Sequence, residues 1–212
     1  MNEFDCDYYE NGLKTGQSCY VNYRWLPELT IKMAHHIVKH LKLKESETVL
    51  DFGCAKGYLV KALRILDIPA CGCDISDYAV NQVDADTKTF CRLIEDKNIL
   101  FPFENKFDWI ISKDVLEHMS ETDLEVFLTQ ASAKTEKMFH IVPLGDGKKF
   151  TVPEYQLDKT HKLAKNKEWW IKKFEDAGWI VEVFDYNIKG IKDNWTGKYP
   201  LGNGFFILKK GM

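Results

Sequence analysis

From residue 47 onward the chain alternates short apolar runs with longer stretches whose apolar positions recur at helical spacing. ETVLDF (47–52), PACGCD (69–74) and TFCRLI (89–94) read as strands bounded by turn residues. FDWIIS (107–112) is almost continuously apolar, as expected of a strand in a sheet covered on both faces. KMFHIV (137–142), WIVEVFDY (179–186) and GFFILKK (204–210) bring the expected strands to seven. Between them, GYLVKALRILD reads as a helix, and SDYAVNQV as a second one opened by Ser76. SETDLEVFLTQASA has Ser120 as its N-cap with an acid three residues on. NKEWWIKKFEDAG ends at Gly178, a helix-closing residue, and one of Trp169 and Trp170 belongs in the core. Strand–helix repetition at this spacing predicts βαβ units and an α/β, doubly wound, mostly parallel sheet.

The first forty-odd residues have another character. PELTIKMAHHIVKHLKL (27–43) is a helix opened by Pro27, with Ile31, Ala34, Ile37, Val38 and Leu41 on one side. His35, His36 and His40 on this helix read as solvated surface. Before it runs an aromatic stretch with Tyr8, Tyr9, Tyr20, Tyr23 and Trp25. The organisation expected is an N-terminal helical and aromatic cover over residues 1–45 and an α/β domain over 46–212.

Composition narrows the class. The chain has 212 residues, 45% hydrophobic and 29% charged, so one domain with a proper core is expected rather than disorder. A formal charge of −3 gives no basic track for nucleic acid. Six cysteines include no C-x-x-C pair; Cys71 and Cys73 would share one face of a strand, as buried thiols in a reducing cytoplasm. The opening MNEFDCDYYENG is acidic and polar, unlike a secretion signal, and no apolar stretch reaches membrane-spanning length. Oligomeric state is left open.

The chemistry concentrates in VLDFGCAKGYLV (49–60), where a buried strand turns into a helix through Asp51-Phe52-Gly53-Cys54-Ala55-Lys56-Gly57. In α/β folds this is where ligands bind. The turn lacks the G-x-G-x-x-G spacing of dinucleotide sites, and Asp51 would repel a pyrophosphate. S-adenosylmethionine has no phosphate and carries a sulfonium and an ammonium, which an acid favours; Gly53 and Gly57 would let the backbone approach it. Asp74, ending CGCD, can accept both hydrogens of a ribose diol, with Ile75 beside it. Asp96, after the third strand, is placed for an adenine amine, and Lys113 ends the fourth strand at the same edge.

At these residues the sequence resembles class I S-adenosylmethionine-dependent methyltransferases over about residues 45–210. VLDFGCAKGYLV is similar to the family's first motif, and CGCDIS to its ribose-binding segment. EDKNILFPFENKFDWIISKDVLEHM is similar to the adenine loop and fourth strand with the segment after it. Cys54-Ala55-Lys56 stands where a middle glycine is common. The resemblance implies a Rossmann-like, seven-stranded sheet whose last strand is antiparallel, and Gly202-Asn203-Gly204 fits a chain reversal before that strand. The aromatic N-terminus is then either a lid over the cofactor, with Tyr20, Tyr23 and Arg24 facing the methionine carboxylate, or plain packing of an appended segment.

KDVLEHM holds Asp114, Glu117 and His118 at i, i+3 and i+4, and DKTH adds Asp158 and His161 on the same edge of the sheet. The pattern is similar to the metal site of small-RNA ribose 2′-O-methyltransferases and to ubiquinone-pathway O-methyltransferases. Carried over, the ligands of a divalent metal would be Asp114, Glu117, His118 and His161, with Asp where Glu is usual. The alternative, preferred on sequence, is a metal-free cleft with His118 or His161 as general base. The polar loop IKDNWTGKYPLGN (191–203) is a candidate for contacting a sugar. The function expected is O-methylation of a small polyol or sugar-like acceptor. The alternatives are a metal-assisted ribose 2′-O-methyltransferase of RNA ends and a non-catalytic cofactor-binding protein.

Overall fold

The structure, a computed structural model, describes residues 3–211; Met1, Asn2 and Met212, at the ends of the expected cover and domain, lie outside the described residues. The strands are β1 (Val49–Phe52), β2 (Ala70–Asp74), β3 (Cys91–Leu93), β4 (Trp109–Lys113), β5 (Lys137–Pro143), β6 (Trp179–Asp185) and β7 (Asn203–Lys210). They form one seven-stranded sheet in the order β3-β2-β1-β4-β5-β7-β6. The strands from β1 to β5 pair in parallel, and β7 runs antiparallel to both β5 and β6. Chain order reverses between β1 and β4, the switch point at whose carboxyl ends α/β sheets place their ligand-binding crevice.

The period-two pattern of each strand explains why the sheet is buried on both sides. Leu50, Phe52, Ile110, Met138, Val142 and Phe206 point to one layer, where α6 (Glu121–Lys134) and α7 (Lys167–Asp176) bring Phe127, Trp170 and Phe174. Val49, Ile111, Phe139, Ile141 and Phe205 point to the other, where α3 (Pro27–Leu41) and α4 (Tyr58–Ile65) bring Ala34, Ile37 and Leu63. Of the adjacent tryptophans, Trp170 is the fully buried one. Helix starts follow their side chains. Ser76 accepts from the Ala79 N–H to open α5 (Asp77–Asn81), and Ser120 and Asp123 form a reciprocal capping box on α6.

Two local features differ from the sequence reading. Asn203 and Gly204 lie inside β7, paired with Pro143 and Val142, so no tight turn forms there. The reversal is made by residues 186–202, which include α8 (Asp193–Thr196). His36 and His40 are half-buried and only His35 is exposed; His40 lies 5.9 Å from Phe139, because α3 packs close on the sheet.

The N-terminal aromatic stretch folds into α1 (Cys6–Glu10) and α2 (Gly12–Thr15) and returns along residues 16–26. Its turns are knit by Asn22 N–H to the Glu10 carbonyl (3.0 Å) and Tyr23 N–H to the Tyr9 carbonyl (3.1 Å). Tyr8, Tyr9, Tyr20 and Tyr23 form one cluster with Tyr78, Ala79 and Ala55 of the main fold. Among the described residues, no helix is long and apolar enough to cross a membrane.

Candidate active site

The turn after β1 is built for close approach. The Gly53 and Cys54 N–H groups both donate to the Cys73 carbonyl of β2, at 2.8 and 3.1 Å. Gly53 sits at φ +79 and Gly57 at φ +72, in the left-handed region that glycine adopts without strain. Ala55 sits between them at φ +48, a non-glycine residue where glycine would be freer. The space that a side chain on either glycine would need is taken by the protein itself. A Cβ on Gly53 would lie 2.4 Å from Val115 Cγ2, and one on Gly57 2.9 Å from Cys91 Sγ. Gly53→Ala should therefore destabilise the fold twice over, by about 1–2 kcal/mol for the left-handed backbone and roughly 1–3 kcal/mol for overpacking. A thermal melt matching the parent would refute that account.

The two acids expected on the cofactor side meet at this turn. One Asp74 oxygen accepts the Ala55 N–H and the other the Ser76 N–H, both at 2.7 Å. Burial pushes the Asp74 carboxyl up, and these N–H groups oppose it. Asp51 is pushed up to about 7 by burial and then by Asp74, with Lys113 pulling the other way. Only 4% of Asp51 and 6% of Asp74 remain exposed. Tyr9 stands next to Asp74 and Ser76, and Tyr23 next to Asp51, so the cover roofs both acids. Lys56 holds the roof, donating to Glu10 at 2.5 Å and to the Tyr23 carbonyl at 2.7 Å. The remaining expected contacts are dispersed. Ile75 is half-buried against the core, Arg24 is exposed, and Asp96 is exposed and accepts from Asn98 of its own loop.

Beyond β4 the crevice opens into a cavity of about 400 Å³ whose lining includes Tyr20, Lys113, Glu117, His161, Lys192 and Trp195. Its polar end is made by two segments far apart in sequence. Leu116–His118 is a single 3-10 turn, and the Glu117 carbonyl accepts from the Lys162 and Leu163 N–H groups at 2.8 and 3.0 Å. Those bonds bring His161 to His118, with ring centroids 4.5 Å apart. The Nε2 atoms of His118 and His161 lie 3.9 and 3.8 Å from one oxygen of Glu117. Glu117 is fully buried, and neither of its carboxylate oxygens has a hydrogen-bond partner among the described residues. The other ring nitrogens are held: His161 Nδ1 lies 2.8 Å from the Tyr155 carbonyl and His118 Nδ1 2.7 Å from the Thr160 hydroxyl. A carbonyl only accepts, so His161 carries its proton on Nδ1 and turns a lone pair towards Glu117. Burial, and for His118 the neighbouring His161, hold both imidazoles below their usual pKa, with His118 at about 4.

Asp114 does not join this group. The i, i+3, i+4 spacing presumes a helical turn from Asp114 onward, but Asp114 has φ +55 and lies before the 3-10 turn. Its carboxylate is instead bound by Lys113 at 2.6 Å and Lys192 at 2.5 Å. Burial works against its ionisation, but the two lysines overcome this and hold it well below the usual carboxylate range. Lys192, from the polar loop before β7, was not singled out on sequence; nothing local marks it, since its partner lies 78 residues away.

A switch-point crevice with a glycine turn and acids ending β1 and β2, on a sheet of this order, defines a class I S-adenosylmethionine-dependent methyltransferase. The chain belongs to the methyltransferase domain family, whose sequence profile matches residues 28–184. No curated protein matches it. Solved structures share its fold at low identity. An S-adenosylmethionine-dependent methyltransferase from Clostridium acetobutylicum is 13% identical with a TM-score of 0.64, over 85% of this chain and 92% of that one. The CcbJ methyltransferase from Streptomyces caelestis is 10% identical with a TM-score of 0.65, over 89% and 91%. The mitomycin 7-O-methyltransferase MmcR is 12% identical with a TM-score of 0.62, over 95% of this chain and 66% of that one.

Proposed function

We propose that the chain methylates a hydroxyl group of a small polyol or sugar-like acceptor, seated in the cavity beside a divalent cation held by Glu117, His118 and His161. The observation that carries this reading is the buried Glu117 carboxylate. It has no hydrogen-bond donor among the described residues, and two imidazole Nε2 atoms face it. The three candidate ligand atoms lie within 4.8 Å of one another. A buried carboxylate without a partner is costly, and a cation relieves that cost. Two imidazoles and one carboxylate suit Mn²⁺, Fe²⁺, Co²⁺ or Zn²⁺.

Asp51 and Asp74 would hold the cofactor, with Asp74 accepting from the ribose diol through the lone pairs that the Ala55 and Ser76 N–H groups leave free. S-adenosylmethionine supplies the electrophilic methyl on its sulfonium, and the cation would supply a Lewis acid that makes the acceptor hydroxyl more acidic. The chain's own share is positioning. Tyr155 and Trp195, with ring centroids 5.6 Å apart and planes tilted 37° to each other, would offer aromatic faces to a sugar. The Lys192–Asp114–Lys113 chain sets a fixed row of charges across the cavity. With His118 and His161 taken up as ligands, neither would be left as the base, and the hydroxyl, made more acidic by the cation, would give up its proton to water as the methyl is transferred. That departs from the metal-free preference drawn from the sequence, and Asp114 leaves the ligand set.

The test is a labelled-methyl transfer screen over sugars, nucleotide sugars and short RNA ends, each run with Mn²⁺ and with chelator. Transfer to a sugar hydroxyl that chelation abolishes is the expected result. Undiminished transfer in chelator would remove the cation, and transfer to RNA ends alone would replace the acceptor class.

A further inference from the structure

We propose that Thr160 and Asp158 are positioning residues that fix His118 as the tautomer with its proton on Nδ1 and its Nε2 lone pair directed at Glu117. The proposal deepens the cation reading of this site, but the tautomer itself does not depend on it.

A threonine hydroxyl has one hydrogen to give. Thr160 Oγ1 lies 2.6 Å from Asp158 Oδ1, which also takes the Thr160 N–H at 2.9 Å. The second oxygen, Oδ2, accepts the Tyr8 hydroxyl at 2.9 Å. Asp158 is thus an acceptor at both oxygens, and the Thr160 hydrogen goes to it, the stronger of the two acceptors within reach. What Thr160 then offers to His118 Nδ1, 2.7 Å away, is a lone pair. Nδ1 must be the donor, which leaves Nε2 unprotonated, as a metal ligand requires. The chain Tyr8–Asp158–Thr160–His118 is buried: Asp158 is 8% and Thr160 7% exposed. Water therefore competes little for any of its bonds. Tyr8 belongs to α1, so the cover anchors the far end of the chain that orients His118. Nothing in the sequence spacing ties Tyr8 to Asp158, 150 residues apart.

The experiment is ¹⁵N NMR of the histidine rings in the full chain, paired with Mn²⁺ titration. In the wild type, His118 should show a protonated Nδ1 and a bare Nε2. Thr160→Val, which keeps the shape and removes the hydroxyl, should shift His118 towards the other tautomer and weaken Mn²⁺ binding about 10–100-fold. Thr160→Ser should restore both. Asp158→Ala should free the Thr160 hydrogen to donate to Nδ1 and so move the tautomer in the same direction as Thr160→Val. An Nε2-protonated His118 in the wild type overturns the proposal. So does a Thr160→Val protein with unchanged tautomer and Mn²⁺ affinity. Should Thr160→Val fail to fold, the wild-type spectrum alone decides. A wild type with the expected tautomer that binds no divalent cation would end the cation reading and leave the positioning role standing.

Discussion

Replacing Glu117 by Met should make the cation-free protein more stable while abolishing its binding of Mn²⁺. The two effects have opposite signs because the side chain serves the site rather than the fold. Glu117 is wholly buried, and its carboxylate oxygens have no hydrogen-bond partner among the described residues. Burial and the negative charge of Asp114 push its carboxyl well above the usual range, the signature of a group the fold does not satisfy. An unbranched thioether fills the same space with no polar atom to satisfy. Removing an unsatisfied buried polar group should gain about 1–3 kcal/mol, which for a chain of this size is roughly 2–12 °C in melting temperature. The proposed cation site would lose its one carboxylate. Lewis-acid assistance is worth several kcal/mol, so the methyl-transfer rate should fall by roughly 10²–10³-fold or more. Adding Mn²⁺ should raise the melting temperature of the wild type and leave Glu117→Met unmoved. A variant that melts lower than the parent without metal would show that Glu117 is structural.

The second large effect concerns the cofactor. Asp74→Ala should weaken S-adenosylhomocysteine binding by roughly 10–150-fold, corresponding to about 1.5–3 kcal/mol for a charged acceptor. The variant also loses stability, since the same carboxylate takes the Ala55 and Ser76 N–H groups that shape the turn after β1. Asp74→Asn separates the two roles. Its amide oxygen can keep one of those N–H groups and one ribose hydroxyl, so both losses should be smaller. Calorimetry showing parental affinity in a folded Asp74→Ala protein would remove Asp74 from the cofactor site.

The parts of this molecule visible in the sequence are those written in local order. VLDFGCAKGYLV declares a strand, a tight turn and a helix within twelve residues, because period-two burial, positive-φ glycines and helical spacing all act between near neighbours. Ser76 and Ser120 declare helix starts for the same reason. The site was legible as residue types but not as an arrangement. Asp114 and Glu117 are correctly spaced for one helical face, but spacing does not reveal that Asp114 takes φ +55 and faces lysines. The glycines mark a tight turn in the sequence, but that Val115 and Cys91 occupy the space a side chain there would need follows only from elements later in the chain. Lys192 and Tyr8 act through partners 78 and 150 residues away, and Lys56 reaches back 46 residues to Glu10. Such pairings follow from which strand ends meet at the switch point, and only the assembled sheet shows them.

The tyrosine roof has a kinetic meaning. With Asp51 and Asp74 only 4% and 6% exposed beneath Tyr9 and Tyr23, no nucleoside arriving from solvent can reach them while the cover is down. If Asp51 and Asp74 hold the cofactor as proposed, collision frequency would cease to set the pace of capture at high cofactor concentration, and the lifting of residues 4–23 would take over as the clock. The same segment grips the turn after β1 through Glu10 and Lys56, and the loop before α7 through Tyr8 and Asp158. One movement of that segment would therefore release both halves of the crevice together, rather than one after the other.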